Sequence, residues 1–490
     1  MKLLKGCTPL LLLFFLNVAL KCIYLTAEPV SHDEPFTIYH AQFGFSELVG
    51  YLKNYNNPPL FELILHVWIK AFGISELSVR VLPMLFSSAS VIFIYLIGRD
   101  FFNTRVALLA SLLFTFSTMQ IWYAHDCRVY SLFLLLTLLS FYLFFTLLKE
   151  GGLSLKRSLV LLAVHALLIY AHYFGLFVWL LQSILIFAFH FRNRKLLLRF
   201  AGIMLGASLL YLPQVLSLYE RFTDSAGHGT WLKPPSGAES LYNMLWSFSN
   251  APLVTVLCIA LLLAALARFL VFAKQGQAQR PVLYLCVWFL LPFLGMFLLS
   301  YKIPMFLDRY LIYITPAYYL LLAVSLSFLL PAKKAFCTGS ALLIAGFVFS
   351  ASFNPSKKRA VRETVDFIAS RKDPGTLVLI CPPEFMTNFA YYYQRDYFRQ
   401  VEGGSEYGRL TRLLEEDQVF FINRMGPELP EKARHYKRII YLDAGADFSF
   451  PDNHIKDDLL KNYTLKEEAF QPELFHIYVL ETDRDRLTSR

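Results

Sequence analysis

An adjacent pair of carboxylates, Asp33 and Glu34, follows the first apolar run of the chain within the sequence SHDEP at residues 31–35. A carboxylate in such a loop could act as a general base, bind a divalent cation, or remain a solvated charge. The residue types alone leave these three interpretations open.

A second charged group, Asp126 and Arg128, lies between two apolar runs in the sequence HDCRVY at residues 125–130. Charged residues at the mouth of an apolar helix are costly unless they are paired or functional. The two residues could pair with each other. Alternatively, the planar guanidinium of Arg128 suits bidentate hydrogen bonding to a phosphate.

Three further polar residues precede or separate later apolar runs: His172, Lys302 and Arg309. A single histidine at such a turn is more often packed at the interface than a ligand. Arg309 could serve only as an anchor for its helix at the lipid headgroups. The case for a shared site depends on whether these loops lie on one side of a membrane.

The composition indicates a membrane protein, because 56% of the 490 residues are hydrophobic and only 17% are charged. Residues 354–490 hold 21 basic and 23 acidic residues, whereas the first 353 residues hold 25 and 13. The basic excess therefore belongs to the apolar part of the chain. Since no soluble domain carries a basic face, a nucleic-acid partner is not expected.

The apolar runs predict about eleven transmembrane helices, of which the first is an uncleaved N-terminal helix. A tight turn at residues 170–173 divides the run from 157 to 191. The later predicted spans are approximately residues 80–98, 105–123, 129–148, 157–174, 175–191, 196–218, 251–273, 281–300, 310–330 and 334–353.

Basic residues predict a cytoplasmic N-terminus, since short cytoplasmic loops retain Lys and Arg. In this orientation 16 of the 25 basic residues face inward, whereas only Asp100 and Glu150 of the 13 acidic residues do so. The first loop, at about 26–79, the His172 turn and the C-terminal tail then lie outside. All of the candidate residues thus meet on the outer face of the membrane.

Residues 354–490 alternate β-rich runs with helical stretches, which predicts a small extracytoplasmic α/β domain after a transmembrane domain at 1–353. We interpret this tail as an accessory or acceptor-positioning domain. The predicted strands are 376–381, 419–423, 438–443 and 475–480, and the predicted helices are about 359–372, 384–394, 406–416 and 454–461.

Several of these motifs, in this order, resemble the bacterial branch of the dolichyl-phosphate-mannose-protein mannosyltransferase family, which includes lipid A aminoarabinose transferases. They are Asp33-Glu34, the break at Asn57-Pro58-Pro59 before Glu62, the segment SVRVLP at 78–83, HDCRVYSL at 125–132, His172-Tyr173-Phe174 and Asp308-Arg309-Tyr310-Leu311. The resemblance covers about residues 1–330. Asp126 and Asn57 depart from the glutamate and histidine that we expect there, which leaves a mannose donor in doubt.

The resemblance implies a GT-C glycosyltransferase fold in a bacterial inner membrane and an inverting transfer from a polyprenyl-phosphate-linked sugar. By family analogy Asp33 would activate the acceptor hydroxyl with Glu34 beside it. Arg128, and Arg309 or Lys302, would hold the leaving phosphate, with Asp126 and His172 nearby. No cofactor is required, although a divalent cation remains open. The acceptor would be a lipid, a polysaccharide or a protein.

Two alternatives carry different sequence expectations. A transporter or lipid flippase should place its charged residues within the spans along a pathway, whereas here they lie at the outer ends. An O-antigen ligase or polymerase should carry its arginines in a large later outer loop. Neither pattern is found in this sequence.

The charge asymmetry makes a prediction about topology: residue 490 lies outside the cytoplasm. A C-terminal alkaline phosphatase fusion should therefore be active in intact cells, because the enzyme matures only after export. An inactive phosphatase fusion together with a fluorescent C-terminal cytoplasmic reporter would contradict the predicted orientation.

Overall fold

The computed structural model describes residues 2–52, 57–228, 232–272, 280–353, 360–399, 407–426, 429, 433–471 and 474–482. Three residues at the ends of predicted elements lie outside these ranges: Ala273 of the span 251–273, and Arg359 and Glu406 of two tail helices. The chain forms two compact units. The membrane unit comprises Met1–Leu25, Val49–Ile64 and Leu77–Phe353, and the tail unit comprises Thr26–Leu48, Leu65–Glu76 and Asn354–Arg490.

Helices form most of the described chain. The α-helices are α1 Lys2–Cys22, α2 Glu34–Ala41, α3 Phe45–Leu52, α4 Leu60–Phe72, α5 Glu76–Phe101, α6 Thr104–Thr115, α7 Thr118–Ala124, α8 Tyr130–Glu150, α9 Leu155–Ala171, α10 Gly175–His190, α11 Arg194–Tyr211, α12 Val215–His228, α13 Ala238–Ser249, α14 Pro252–Phe272, α15 Arg280–Leu299, α16 Asp308–Leu311, α17 Thr315–Leu329, α18 Lys333–Ser350, α19 Val361–Arg371, α20 Met386–Tyr393, α21 Arg395–Arg399, α22 Gly408–Glu416, α23 Ala446–Ser449 and α24 Ile455–Leu460.

Seven described helices are long and apolar enough to cross a membrane, and an eighth span results if α6 and α7 are counted together. The remaining predicted spans coincide with α1, α9 and α10. The apolar parts of α1 and α10, Thr8–Cys22 and Gly175–His190, are shorter than a full span, and α9 has 17 residues. The structure therefore confirms a multi-span helical protein, with fewer full-length spans than the eleven predicted.

The predicted division between α9 and α10 is present as a turn at residues 172–174. Gly175 starts α10, and its amide donates to the carbonyl of His172 at 2.8 Å. A Cβ atom at Gly175 would lie 2.7 Å from the carbonyl oxygen of Leu168. Only glycine permits this close approach without a shift of the backbone, so the turn stays tight.

The membrane unit contains a helix break that redirects the chain before the Arg128 loop. Helices α6 and α7 meet at 61°. A break exposes backbone groups that lipid cannot satisfy. Here Asn250 satisfies them, because its Oδ1 accepts from the amide of Thr118 and its Nδ2 donates to the carbonyl of Phe116, each at 2.8 Å.

A side chain of α17 and a backbone carbonyl of α1 hold the segment that follows the break. Gln120 in α7 donates through Nε2 to Thr315 Oγ1 at 3.0 Å. His125 donates through Nε2 to the carbonyl oxygen of Lys21 at 2.6 Å. The ammonium of Lys21 is fully buried and donates to Ser87 Oγ at 2.8 Å. These bonds fix the end of α7, from which the Arg128 loop begins.

The tail unit is an α/β structure, as predicted. Its sheet has the order β2-β1-β3-β5-β4, in which β1, β2 and β3 are parallel and β5 is antiparallel to β3 and β4. The strands are β1 Thr376–Cys381, β2 Val419–Phe421, β3 Arg438–Ala444, β4 Tyr463–Gln471 and β5 Phe475–Thr482.

Four of these strands match the sequence prediction, and β4 does not. Strand β4 has the sequence YTLKEEAFQ, which is polar and largely exposed. It lies at the edge of the sheet and pairs only with β5 among the described strands. An edge strand with one solvated face carries too few buried apolar residues to resemble the central strands.

Two pieces of the first loop belong to the tail unit. Thr26–Leu48 contains the acidic pair, and Leu65–Glu76 forms the second half of α4 and the turn after it. The two pieces are joined by His66, whose Nδ1 donates to the carbonyl oxygen of Ala41 at 2.8 Å. The acidic pair thus belongs to the same compact unit as the C-terminal α/β structure.

Candidate functional site

Arg128 lies in the short loop between α7 and α8 in the membrane unit. Its side chain is buried, with 8% exposure, and its amide donates to the carbonyl of Asp126 at 2.7 Å. The loop is closed by Ser131, whose hydroxyl donates to the carbonyl oxygen of Tyr123 at 2.7 Å. The guanidinium is therefore held by a tight turn in a largely desolvated place.

Arg309 lies in the first turn of the short helix α16. Its guanidinium carbon is 5.9 Å from the ring centre of Tyr130 and 5.5 Å from that of Tyr310. Asp308 accepts from the Arg309 amide at 2.8 Å, and its carboxylate also bonds the hydroxyl of Tyr123. Aromatic rings from two helices thus orient a second arginine.

The positive charges of both arginines act on His172. Burial, together with the positive charges of Arg128 and Arg309, lowers the pKa of His172 to about 3. Its Nδ1 accepts from the amide of Phe174 at 3.1 Å, so the proton of the neutral ring is on Nε2. His172 also stacks on Phe133 at 4.9 Å between ring centres. It is a rigid neutral donor.

We call Arg128, Arg309 and His172 the arginine cluster. They come from three separate parts of the chain. The ring of Tyr130 lies 5.9 Å from the Arg309 guanidinium carbon and 6.3 Å from the His172 ring, and the charge of Arg128 contributes to the lowered pKa of His172. The sequence analysis expected these residues on one face of the membrane, and the resemblance assigned them to one donor site. The cluster combines two fixed positive charges with one neutral donor, which is suited to a bound anion.

Glu62 is a buried acid near the cluster that sequence reasoning did not select. It lies in α4 with 2% exposure, and its Oε2 has no hydrogen-bond partner among the described residues. Burial raises the pKa of Glu62 to about 7, although the charge of Arg128 opposes that rise. An acid within the apolar run of residues 60–72 was the available signal.

The structure places the other two donor-side candidates differently. Lys302 is exposed in the turn after α15, where its amide donates to the carbonyl of Leu299 at 2.9 Å. Asp126 is half-buried at the start of the Arg128 turn. Neither residue is among the groups whose charge influences His172.

The acidic pair lies in the tail unit, where its two carboxylates have different surroundings. Glu34 is buried, and its Oε2 accepts from the amide of Ser31 at 3.2 Å. Asp33 is exposed at the start of α2, and its carbonyl accepts from the amide of Thr37 at 3.1 Å. The side chain of Glu34 therefore supports the local backbone, whereas Asp33 is an exposed residue.

A metal cluster is not found in the part of the chain that the structure describes: no three His, Cys, Asp or Glu side chains there are grouped so as to hold an ion. The expectation that a divalent cation could take part rests on the acidic pair alone. It stays a prediction.

The buried carboxyl of Glu62 predicts a specific pH dependence of stability. Its pKa is about 7 in the folded protein against an ordinary value of 4.5, so the stability present below pH 4.5 is lost as the pH rises to 7. The separation of these values corresponds to on the order of 3 kcal/mol. Glu62→Gln should remove this loss. The stability of the variant relative to the wild type should therefore be higher at pH 8 than at pH 5.

Thermal unfolding in detergent at both pH values measures the effect. Glu239→Gln, which changes an exposed glutamate, is the matched control and should leave the pH dependence as it is. The same pH dependence in Glu62→Gln and in the wild type would contradict the assignment.

Residues 56–218 match the model of a family described as dolichyl-phosphate-mannose-protein mannosyltransferase. This range contains Glu62, Arg128 and His172. No curated protein sequence matches the chain.

Solved structures of similar fold cover almost the whole chain. ArnT from Cupriavidus metallidurans in the apo state is 14% identical over 97% of this chain and 98% of its own, with a TM-score of 0.62. The same enzyme bound to undecaprenyl phosphate is 12% identical over 97% of both chains, with a TM-score of 0.58.

A third structure is more distant and larger. The archaeal oligosaccharyltransferase AglB from Archaeoglobus fulgidus, in complex with an inhibitory peptide and a dolichol-phosphate, is 11% identical. It matches 96% of this chain and 74% of its own, with a TM-score of 0.55. The predicted GT-C fold is confirmed by these structural matches, and residues 56–218 are similar to the dolichyl-phosphate-mannose-protein mannosyltransferase family.

Proposed function

We propose that the chain is an inverting glycosyltransferase that moves a sugar from a polyprenyl-phosphate-linked donor to an acceptor hydroxyl on the outer face of the membrane. The observation that supports this most directly is the arginine cluster, in which the buried Arg128 and the half-buried Arg309 lie near a neutral histidine. ArnT has been solved with undecaprenyl phosphate and AglB with a dolichol-phosphate, which agrees with a lipid phosphate as the anion.

On the donor side, Arg128 and Arg309 bind the phosphate that leaves. When the bond between the anomeric carbon and the phosphate oxygen breaks, the electron pair stays on oxygen and the phosphate gains negative charge. Preorganised cations in a largely dry site stabilise that charge without reorganising. His172 adds the N–H of Nε2, and Lys302 and Asp126 contribute at the edge of the donor site.

On the acceptor side, Asp33 takes the proton of the acceptor hydroxyl, whose oxygen then attacks the anomeric carbon with inversion of configuration. Its exposure suits contact with an acceptor that arrives from water. Glu34 is the supporting neighbour, because its carboxylate already accepts a backbone amide. The acceptor is a lipid, a polysaccharide or a protein.

The setting of this reaction is the bacterial inner membrane, with membrane lipids around residues 1–353 as the transmembrane catalytic domain. The N-terminus is cytoplasmic, and residues 354–490 form an extracytoplasmic domain that serves the acceptor side. This orientation follows from the basic residues of the short loops. A divalent cation at the acidic pair is an addition that the transfer does not need.

The role of Asp33 predicts that Asp33→Asn abolishes transfer. The change is nearly isosteric but removes the base, and a positioned carboxylate contributes on the order of 10²- to 10⁴-fold. The assay measures transfer from a purified polyprenyl-phosphate sugar to a native acceptor extract, with the amount of folded protein checked in the same membranes.

Two companion variants sharpen this test. Glu34→Gln should be milder than Asp33→Asn, and Asp452→Asn, which changes an exposed aspartate of the tail, should retain activity. Full activity in Asp33→Asn, with normal protein, would remove Asp33 as the base.

The donor assignment predicts that Arg128→Lys lowers turnover while folding survives. Lysine retains the charge but loses the bidentate fork, and a hydrogen bond to a charged group is worth about 1.5–3 kcal/mol, or roughly ten- to hundredfold in rate. The affinity for polyprenyl phosphate should fall in parallel. Arg157→Lys, which changes an exposed arginine paired with Glu150, is the control. Wild-type transfer by Arg128→Lys would exclude Arg128 as the phosphate ligand.

A further inference from the structure

Helix α20 of the tail unit contacts the acidic segment, residues 30–34, at two points. The hydroxyl of Tyr392 accepts from the amide of Val30 at 2.5 Å. The side-chain Nδ2 of Asn388 donates to the carbonyl oxygen of His32 at 3.0 Å. Both partners are main-chain atoms before Asp33, so α20 fixes the path of the backbone that presents this residue.

The hydroxyl of Tyr392 is itself held in one orientation. It donates to Glu76 Oε1 at 2.7 Å, and that carboxylate is clasped by a guanidinium nitrogen of Arg362 at 2.6 and 2.8 Å. Burial and the charge of Glu76 raise the pKa of Tyr392 above its ordinary value. Because the hydroxyl keeps its proton for Glu76, its oxygen is available to the amide of Val30.

The side-chain amide of Asn388 donates one hydrogen bond to the acidic segment, but its own oxygen is left unsatisfied among the described residues. Asn388 is buried with 5% exposure, and its Oδ1 has no hydrogen-bond partner among the described residues. A buried unsatisfied oxygen costs about 1–3 kcal/mol. Stability alone would favour an apolar side chain here, so the bond to His32 is the physical reason for an amide.

The backbone that these two residues hold is strained. His32 has a φ of 56°, in the left-handed region that is unfavourable for residues other than glycine. Such a conformation persists only where its surroundings fix it. The bond from Asn388 to the carbonyl of His32 acts on the peptide unit that directly precedes Asp33.

We propose that Asn388 and Tyr392 are positioning residues that hold the acidic segment so that Asp33 is presented to the acceptor. This inference rests on the proposed role of Asp33 as the base. It assigns part of the catalytic geometry to the α/β tail, whose helix α20 carries both contacts. A small misplacement of a reacting group can cost about a hundredfold in rate.

The test compares Tyr392→Phe and Asn388→Ala with the matched control Tyr393→Phe. Tyr393 lies on the same helix, and its hydroxyl bonds Asp417 instead of the acidic segment. We expect Tyr392→Phe and Asn388→Ala to lower kcat for transfer by about tenfold or more, with the KM for the donor unchanged. Tyr393→Phe should transfer at the wild-type rate.

A second measurement separates positioning from a general loss of structure. Each variant is combined with Asp33→Asn, and the slow transfer that remains after a loss on the order of 10²- to 10⁴-fold is followed over long incubations. If the bonds act through Asp33, Tyr392→Phe and Asn388→Ala should cause no further loss in that background. A structural effect would lower the residual rate in both backgrounds.

The outcomes distinguish this inference from the proposed function. An inactive Asp33→Asn with wild-type rates in Tyr392→Phe and Asn388→Ala overturns only the positioning role, as does an undiminished effect in the Asp33→Asn background. Full activity in Asp33→Asn overturns both. If Tyr392→Phe does not fold, Glu76→Gln replaces it, because this variant keeps the side-chain size but weakens the hold on the Tyr392 hydroxyl.

Discussion

The positive charges of Arg128 and Arg309 both act on His172, and the membrane unit keeps this arrangement with Arg128 buried and Arg309 half-buried. Like charges repel more strongly where burial lowers the local dielectric, and acids nearby, Asp308 beside Arg309 and Glu62 near Arg128, offset part of this repulsion when ionised. The neutral state of His172 is a direct consequence, because a third positive charge there would add to the cost. A bound phosphate would relieve the same cost, which links the stability of the cluster to its proposed ligand.

The surrounding helices hold these groups in place. Where the helices break, hydrogen bonds satisfy the backbone groups that would otherwise face lipid. Asn250 satisfies the backbone groups at the break between α6 and α7, and the turn before Gly175 closes within three residues. Glu62 provides a counterbalance that depends on its protonation state, since only its ionised form offsets the charge of Arg128. The electrostatic balance of the cluster can therefore change near neutral pH.

The sequence predicted features that depend on local composition and missed those that depend on distant partners. Apolar runs predicted the helices, and the turn around His172 followed from polar residues in an apolar region. Strand β4 was missed because an edge strand with an exposed face resembles a polar loop. Glu62 was hidden within an amphipathic pattern, and its significance depends on a charge 66 positions away in the chain, at Arg128.

The contacts of Asn388 and Tyr392 also depend on distant partners, and the sequence did not predict them. Each joins atoms separated by more than 350 positions, and one side of each bond is a backbone group that has no sequence signature. The acidic segment has little secondary structure of its own before α2, so its main-chain groups must find partners elsewhere. Because the tail provides those partners, the motif Asp33-Glu34 alone does not determine the geometry of the proposed base. The same motif on a different tail would place its carboxylate differently, and the α/β unit thereby becomes part of what sets turnover.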